Sequence, residues 1–176
     1  MKKEDNNNKL LSDQDIKVYN LTKAVNESVN LDDFKCEKQY FADYLRLCAK
    51  DNDNKGICKV WLFVTSNNKV IGYVTLAMSQ LSRSQHLTLG RLTTRNYVPG
   101  ILIGEMARHL DCRGKGVGKI MINWVTSKVR DVSKEVACKI IIVEAEEDKI
   151  DIYKQWGFEP IENFEEKRNT MFLRIR

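Results

Sequence analysis

From position 113 to 118 the chain reads Arg-Gly-Lys-Gly-Val-Gly, three glycines within five residues and two cations among them. Glycine reaches backbone angles closed to other residues and lets the main chain come close to a ligand. The strand-like run Ile101–Leu110 precedes this segment, and a helix-like run opens at Lys119. The first turn of a helix offers unpaired N–H groups and the positive end of its dipole. With Arg113 and Lys115 adding charge beside it, the segment predicts an anion site, best suited to a pyrophosphate. A nucleotide P-loop needs Gly-Lys followed by Ser or Thr, but Gly118-Lys119 is followed by Ile120. The dinucleotide fingerprint G-x-G-x-x-G fails as well, because Lys119 holds its third glycine position.

Other residue types narrow the chemistry. The five cysteines (Cys36, Cys48, Cys58, Cys112, Cys138) are odd in number and form no C-x-x-C pair. That argues against a zinc site or a disulfide framework and for reduced thiols in the cytoplasm. No metal is expected. A catalytic cysteine would want a histidine partner, and only His86 and His109 are present. The net charge is +5, and Arg83, Arg91 and Arg95 crowd one polar segment. Such an excess suits an acidic partner, RNA included, and equally suits a solvated surface. No apolar run approaches a membrane span, and residues 1–9 lack the apolar core of a secretory signal.

These residues need a frame. At 176 residues, one domain over 13–176 behind a polar tail over 1–12 is expected. Ile16–Leu21 reads as a strand. Leu31–Lys50 reads as a helix, with Phe34, Tyr40, Phe41, Tyr44, Leu45 and Cys48 at spacings of three and four and Asp32 or Asp33 as its cap. Val60–Val64 and Val70–Leu76 suit a hairpin turning at Asn67-Asn68. Ser82–Asn96 admits a helix or a long loop. Pro99-Gly100 marks the entry to the strand Ile101–Leu110. Val117, Ile120, Met121, Trp124, Val125, Val129 and Val132 form a helical stripe. Ile140–Val143 suits a strand buried on both faces. A short helix over Asp148–Trp156 stops at Gly157, and Thr170–Ile175 is a last strand. This order predicts an α/β fold around one mixed sheet.

The pattern R-x-x-G-x-G, carried here by Arg113, Gly116 and Gly118 between a strand and a helix, resembles the acyl-CoA loop of the GNAT (Gcn5-related) N-acetyltransferase superfamily. Ile152-Tyr153-Lys154-Gln155-Trp156-Gly157-Phe158 resembles that family's hydrophobic-Tyr-x-x-x-Gly-Phe segment, in the right order and with a strand between. A further resemblance is to the acetyltransferase toxins of toxin–antitoxin pairs. Phe34-Lys35-Cys36 with Tyr44-Leu45 and Ala49, Val70–Leu76, and Pro99 followed by Ile101–Gly104 carry it. The chain departs from those toxins at Glu105, where they usually carry Arg, and at Arg108 and His109, where they carry Val and Asp. Glu146 and Lys149 replace the Asn and Ala usual before the tyrosine. The departures bear on the acceptor rather than on the cofactor.

The resemblance implies a single GNAT-like domain, a mostly antiparallel sheet whose splayed strands form the acyl-CoA cleft. It implies acetyl-CoA as co-substrate and direct attack by a neutral amine. The strand backbone at Met106, Ala107 and Arg108 would pair with the pantetheine arm as an added strand does. The loop Arg113, Gly114, Lys115, Gly116, Val117, Gly118 and Lys119 would hold the pyrophosphate. Tyr153 would be the acid that protonates the leaving thiolate, since a phenol titrates at about 10 and stays protonated at neutral pH. Glu105 is the leading candidate for the amine's proton, with Glu144 and His109 behind it. The toxin likeness implies the amino group of aminoacyl-tRNA as acceptor. Protein, peptide or small-molecule amines, or acyl-CoA binding without chemistry, stay open. Expected partners are the amine acceptor, an antitoxin protein and a second copy of the chain, with no membrane.

Overall fold

The structure, a computed structural model, describes residues 16–27, 29–161 and 169–175. The tail expected over 1–12 lies outside them. One seven-stranded sheet runs in the order β1-β2-β3-β4-β5-β7-β6. Its strands are β1 (Ile16–Asn20), β2 (Lys59–Thr65), β3 (Val70–Ser82), β4 (Tyr97–Arg108), β5 (Ile140–Ala145), β6 (Glu159–Pro160) and β7 (Asn169–Arg174). All neighbours pair antiparallel except β4 and β5, which run parallel. The parallel pairing requires a crossover, and α5 (Val117–Glu135) supplies it.

Helix α5 lays its buried stripe, Val117, Met121, Ile122, Val125 and Val129, on one face of the sheet. There it joins Ile71, Ile101, Ile103, Ile141 and Val143. The opposite face is covered in two places. Over β2 and β3 lie α1 (Leu21–Asn26), α2 (Gln39–Asp43), a π-helical turn (Tyr44–Cys48) and α3 (Ala49–Asn54). Over the other half, α4 (Leu87–Leu92) buries Leu89 against Leu81, Val98, Ile140, Ile142 and Phe172. The run Ile140–Val143 therefore feeds both cores by alternation, as expected for a strand buried on both sides. A last helix, α6 (Ile150–Gln155), follows β5 and stops at Gly157, whose φ is 91°.

Three expectations are corrected. The helix expected from Leu31 starts only at Gln39, and neither Asp32 nor Asp33 caps it. The Asn30 side chain takes the Asp32 N–H at 2.8 Å and donates to the Asp33 carboxylate at 3.0 Å, a local turn that competes with helix. Phe34 is meanwhile held in the core between Tyr73 and His109. Pro99 is not the entry to β4 but lies inside it, opposite Gln80. Strand β4 ends at Arg108 rather than Leu110, because His109 caps a 3-10 turn over Leu110–Cys112. Ser82–Asn96, left open between a helix and a long loop, holds a 3-10 turn (Arg83–Gln85) and α4. No described helix is long and apolar enough to cross a membrane.

Candidate active site

The parallel ladder pairs Gly100–Ile103 of β4 with Ile140–Val143 of β5 and then stops. β4 continues to Arg108 and β5 to Ala145, so the two strands part and leave one edge of β4 free. A cleft of about 590 Å³ opens there. Its walls include Glu105, Met106, Ala107 and Arg108 from β4, Glu144 from β5, Tyr153 and Trp156 from the α6 region, and Gly114 with Gly116–Lys119 from the glycine loop. The tertiary fold thus brings together residues up to 51 positions apart, from Glu105 to Trp156. Arg113 and Lys115 are the exceptions: they flank the loop without lining the wall, and the Arg113 side chain is 80% exposed.

Each glycine of the loop has its own reason. Gly114 and Gly116 take φ of 74° and 78°, the left-handed region. Gly118 is different: a Cβ there would stand 3.1 Å from the Trp156 ring. Gly116 is the N-cap of α5 and has no side chain to cap it. The first helical bond runs from the Ile120 N–H to the Gly116 carbonyl at 3.1 Å. The N–H groups of Val117, Gly118 and Lys119 therefore find no acceptor among the described residues, the condition for anion capture at a helix start. Lys119 and Trp156 also border an outer groove of about 490 Å³ that runs past Arg130 to Arg174.

A bulge decides where Glu105 faces. Ile103 and Met106 both pack toward the α5 core, although residues three apart on a regular strand face opposite ways. The β3–β4 register shifts between Val74 and Leu76, so Thr75 stands against two residues, Gly104 and Glu105. Thr75, buried, accepts the Glu105 N–H at 2.8 Å. The Glu105 side chain is thereby turned to the α2 face, where the Tyr40 hydroxyl donates to its Oε1 at 2.8 Å. Burial pushes the Glu105 carboxyl above the usual carboxylate range, the Tyr40 bond opposes that rise, and the nearby Glu146 charge adds to it.

Tyr153 is 7% exposed. Its ring lies edge-on to Trp156 and Phe158, at centroid distances of 5.4 and 5.3 Å. Burial, then the charge of Glu146, pushes its phenol well above the ordinary value, so it keeps its proton. It stands where a departing group in the cleft could take that proton.

A strap, residues 35–38, borders the cleft, and its Cys36, Glu37 and Lys38 are part of the lining. The Lys35 carbonyl accepts the Leu110 N–H at 2.8 Å. Glu37 takes Arg108 at 2.8 Å and Arg113 at 3.5 Å, and Lys38 meets Glu146 at 2.5 Å. Arg108 hydrogen-bonded to Glu37 holds that carboxyl below its ordinary range. His109 stands apart from the cleft lining. It is 4% exposed; its Nδ1 accepts the Asp111 N–H at 3.2 Å, which leaves the proton on Nε2 to bond the Asp33 carbonyl at 3.2 Å. Arg83, Arg91 and Arg95 lie at the far end of the β3–β4 pair, roughly 25 Å along β4 from Glu105. Sequence reasoning missed Tyr40, Thr75 and the strap. Tyr40 had been read as part of an apolar stripe, and nothing local distinguishes it.

With this geometry in place, the family model described as an acetyltransferase (GNAT) domain matches residues 56–160, more than half the chain. Among solved structures, one similar fold is AtaT complexed with acetyl-methionyl-tRNAfMet, at 22% identity and TM-score 0.81, covering 91% of this chain and 95% of that one. A second is a tyrosine-to-phenylalanine mutant of KacT, at 22% identity and TM-score 0.82, covering 92% and 96%. A third is a tyrosine-to-phenylalanine mutant of the AtaT toxin bound to the C-terminus of the antitoxin AtaR and acetyl-CoA, at 21% identity and TM-score 0.75, covering 92% and 94%. These likenesses show a shared fold.

Proposed function

Because the chain belongs to the GNAT acetyltransferase family, we propose that it transfers the acetyl group of acetyl-CoA to an amine by direct attack, the acceptor being the amino group of an aminoacyl-tRNA. One observation carries the catalytic part. The gap between β4 and β5 holds a free strand edge, a helix start with unpaired N–H groups, a buried neutral phenol and a half-buried carboxylate, all lining one cleft. These groups fit an acyl-CoA thioester along its length. The N–H groups of Val117–Lys119 take the pyrophosphate. The backbone of Met106–Arg108 pairs with the pantetheine arm as an added strand would. Arg113 and Lys115 contribute charge from the rim, and Lys119 with Arg130 extends it along the outer groove.

Acetyl-CoA, when bound, supplies the acetyl group as a thioester. Glu105 receives the proton the amine loses as its nitrogen bonds the acetyl carbon. Tyr153 gives its proton to the sulfur as the carbon–sulfur bond breaks, and a main-chain N–H of β4 steadies the charge that develops on the carbonyl oxygen. The acceptor identity is supported by AtaT in its complex with acetyl-methionyl-tRNAfMet, and an antitoxin partner by AtaT bound to AtaR.

The experiment is a transfer assay. Purified protein and labelled acetyl-CoA are offered aminoacyl-tRNA, uncharged tRNA, a peptide panel and polyamines. Label on aminoacyl-tRNA, absent from uncharged tRNA, is the expected result. Label on peptides or polyamines and never on tRNA refutes the acceptor while keeping the chemistry.

A further inference from the structure

Tyr40 lies in α2 with 60% of its surface exposed, an unusual place for a large aromatic residue. Its ring meets Phe41 edge-on at 5.3 Å, and the one described hydrogen bond of its hydroxyl is the 2.8 Å contact to Oε1 of Glu105, 65 positions away in sequence. Packing alone does not require that hydroxyl. The bond exists because two independent features converge on it. The bulge opposite Thr75 turns Glu105 to the α2 face, and the turn at Asn30 delays the helix so that α2 begins at Gln39. We propose that Tyr40 is a positioning residue for Glu105, tying down one carboxylate oxygen and leaving Oε2 to take the acceptor's proton; this rests on the acetyl-transfer reading above.

The electrostatics around Glu105 make such a partner useful. Half-buried, the carboxylate loses solvation that would keep it ionised. Glu146, beyond β5, repels it, though Lys38 holds Glu146 at 2.5 Å. Glu144 of β5 lines the same cleft. From the helical side Glu105 is faced by Tyr44 and from β3 by Tyr73, neither of which bonds it: Tyr73 donates to the Phe41 carbonyl at 2.8 Å, and Tyr44 is engaged with Cys58 and Asn52. Arg108, the near cation on β4, is bonded to Glu37. Tyr40 is thus the one described donor to the Glu105 carboxylate, and its bond favours the ionised form against the pull of burial.

The test compares wild type, Tyr40→Phe, Glu105→Gln and the double variant across pH with a single acceptor, so that the acceptor's own amine titrates identically in all. Removing the phenol hydroxyl raises the Glu105 carboxyl further. The acid limb of kcat/KM in Tyr40→Phe is therefore expected to move up by about half to one pH unit, and turnover at pH 7 to fall about three- to tenfold. Acetyl-CoA affinity by calorimetry stays unchanged, which also reports an intact fold. In Glu105→Gln that limb disappears, and adding Tyr40→Phe costs nothing further. An unmoved limb in an active Tyr40→Phe enzyme overturns the role of Tyr40, even if its rate falls. A wild-type protein that binds acetyl-CoA and acetylates nothing overturns the acetyl-transfer reading, and this proposal with it.

Discussion

Thr75 accepts the backbone N–H of Glu105 at 2.8 Å, and around that one bond β4 slips a residue out of step with β3. The slip keeps Ile103 and Met106 on the core side while Glu105 faces Tyr40 of α2. Thr75→Val keeps the shape and removes the acceptor, leaving the Glu105 N–H unpaired. We expect a loss of about 1–3 kcal/mol in denaturant unfolding and a fall in turnover larger than any loss of acetyl-CoA affinity. A variant with wild-type midpoint and turnover would show that the bulge stands without this bond.

Tyr153→Phe removes the proposed acid and leaves the ring packing with Trp156 and Phe158 in place. Turnover is expected to drop by about 10²-fold or more with little change in acetyl-CoA affinity. An acid must be protonated to act, and burial raises this phenol. The wild-type rate therefore shows no alkaline fall owing to Tyr153 below about pH 10. Steady-state kinetics to high pH check both points; full activity in the variant removes the acid role.

The loop glycines separate by the reason each is needed. Gly116→Ala puts a side chain at a φ of 78° and is expected to cost about 1–2 kcal/mol of stability. Gly118→Ala adds a Cβ 3.1 Å from the Trp156 ring. That contact displaces the indole, so acetyl-CoA affinity weakens while the melting temperature changes little. Calorimetry beside thermal melts distinguishes the two. Equal losses of both kinds in both variants would contradict the division.

His109→Ala removes the acceptor of the Asp111 N–H and the donor to the Asp33 carbonyl, both at a buried position. A drop of about 2–3 kcal/mol in unfolding free energy is expected. The shape of the kcat/KM pH profile should persist, because the imidazole stands outside the cleft lining. Loss of a profile limb in this variant would return His109 to the chemistry.

Much of the fold was legible because it rests on period. The stripe from Val117 to Val132 and the run Ile140–Val143 report burial directly, and both elements stand where the pattern put them. The glycine loop was legible because few other arrangements need three glycines before a helix. Leu31–Lys38 was misread because its apolar spacing suits a helix equally well. What settled it was the side chain of Asn30 bonding its own backbone and Phe34 being drawn between Tyr73 and His109. Trp156 bears on the loop in a way spacing does not show, since a Cβ at Gly118 would stand 3.1 Å from its ring.

The sequence by itself determined the glycine loop before the helix, the buried parallel strand beside it and the family those motifs resemble, since each is written in residues adjacent along the chain. Only the tertiary structure decided which charged groups share the cleft. Glu105 faces Tyr40 through a one-residue slip in strand pairing, His109 turns inward to hold a bend, and Arg83, Arg91 and Arg95 end up far from the site. Facing and register depend on hydrogen bonds between residues tens of positions apart, and local spacing carries no record of them.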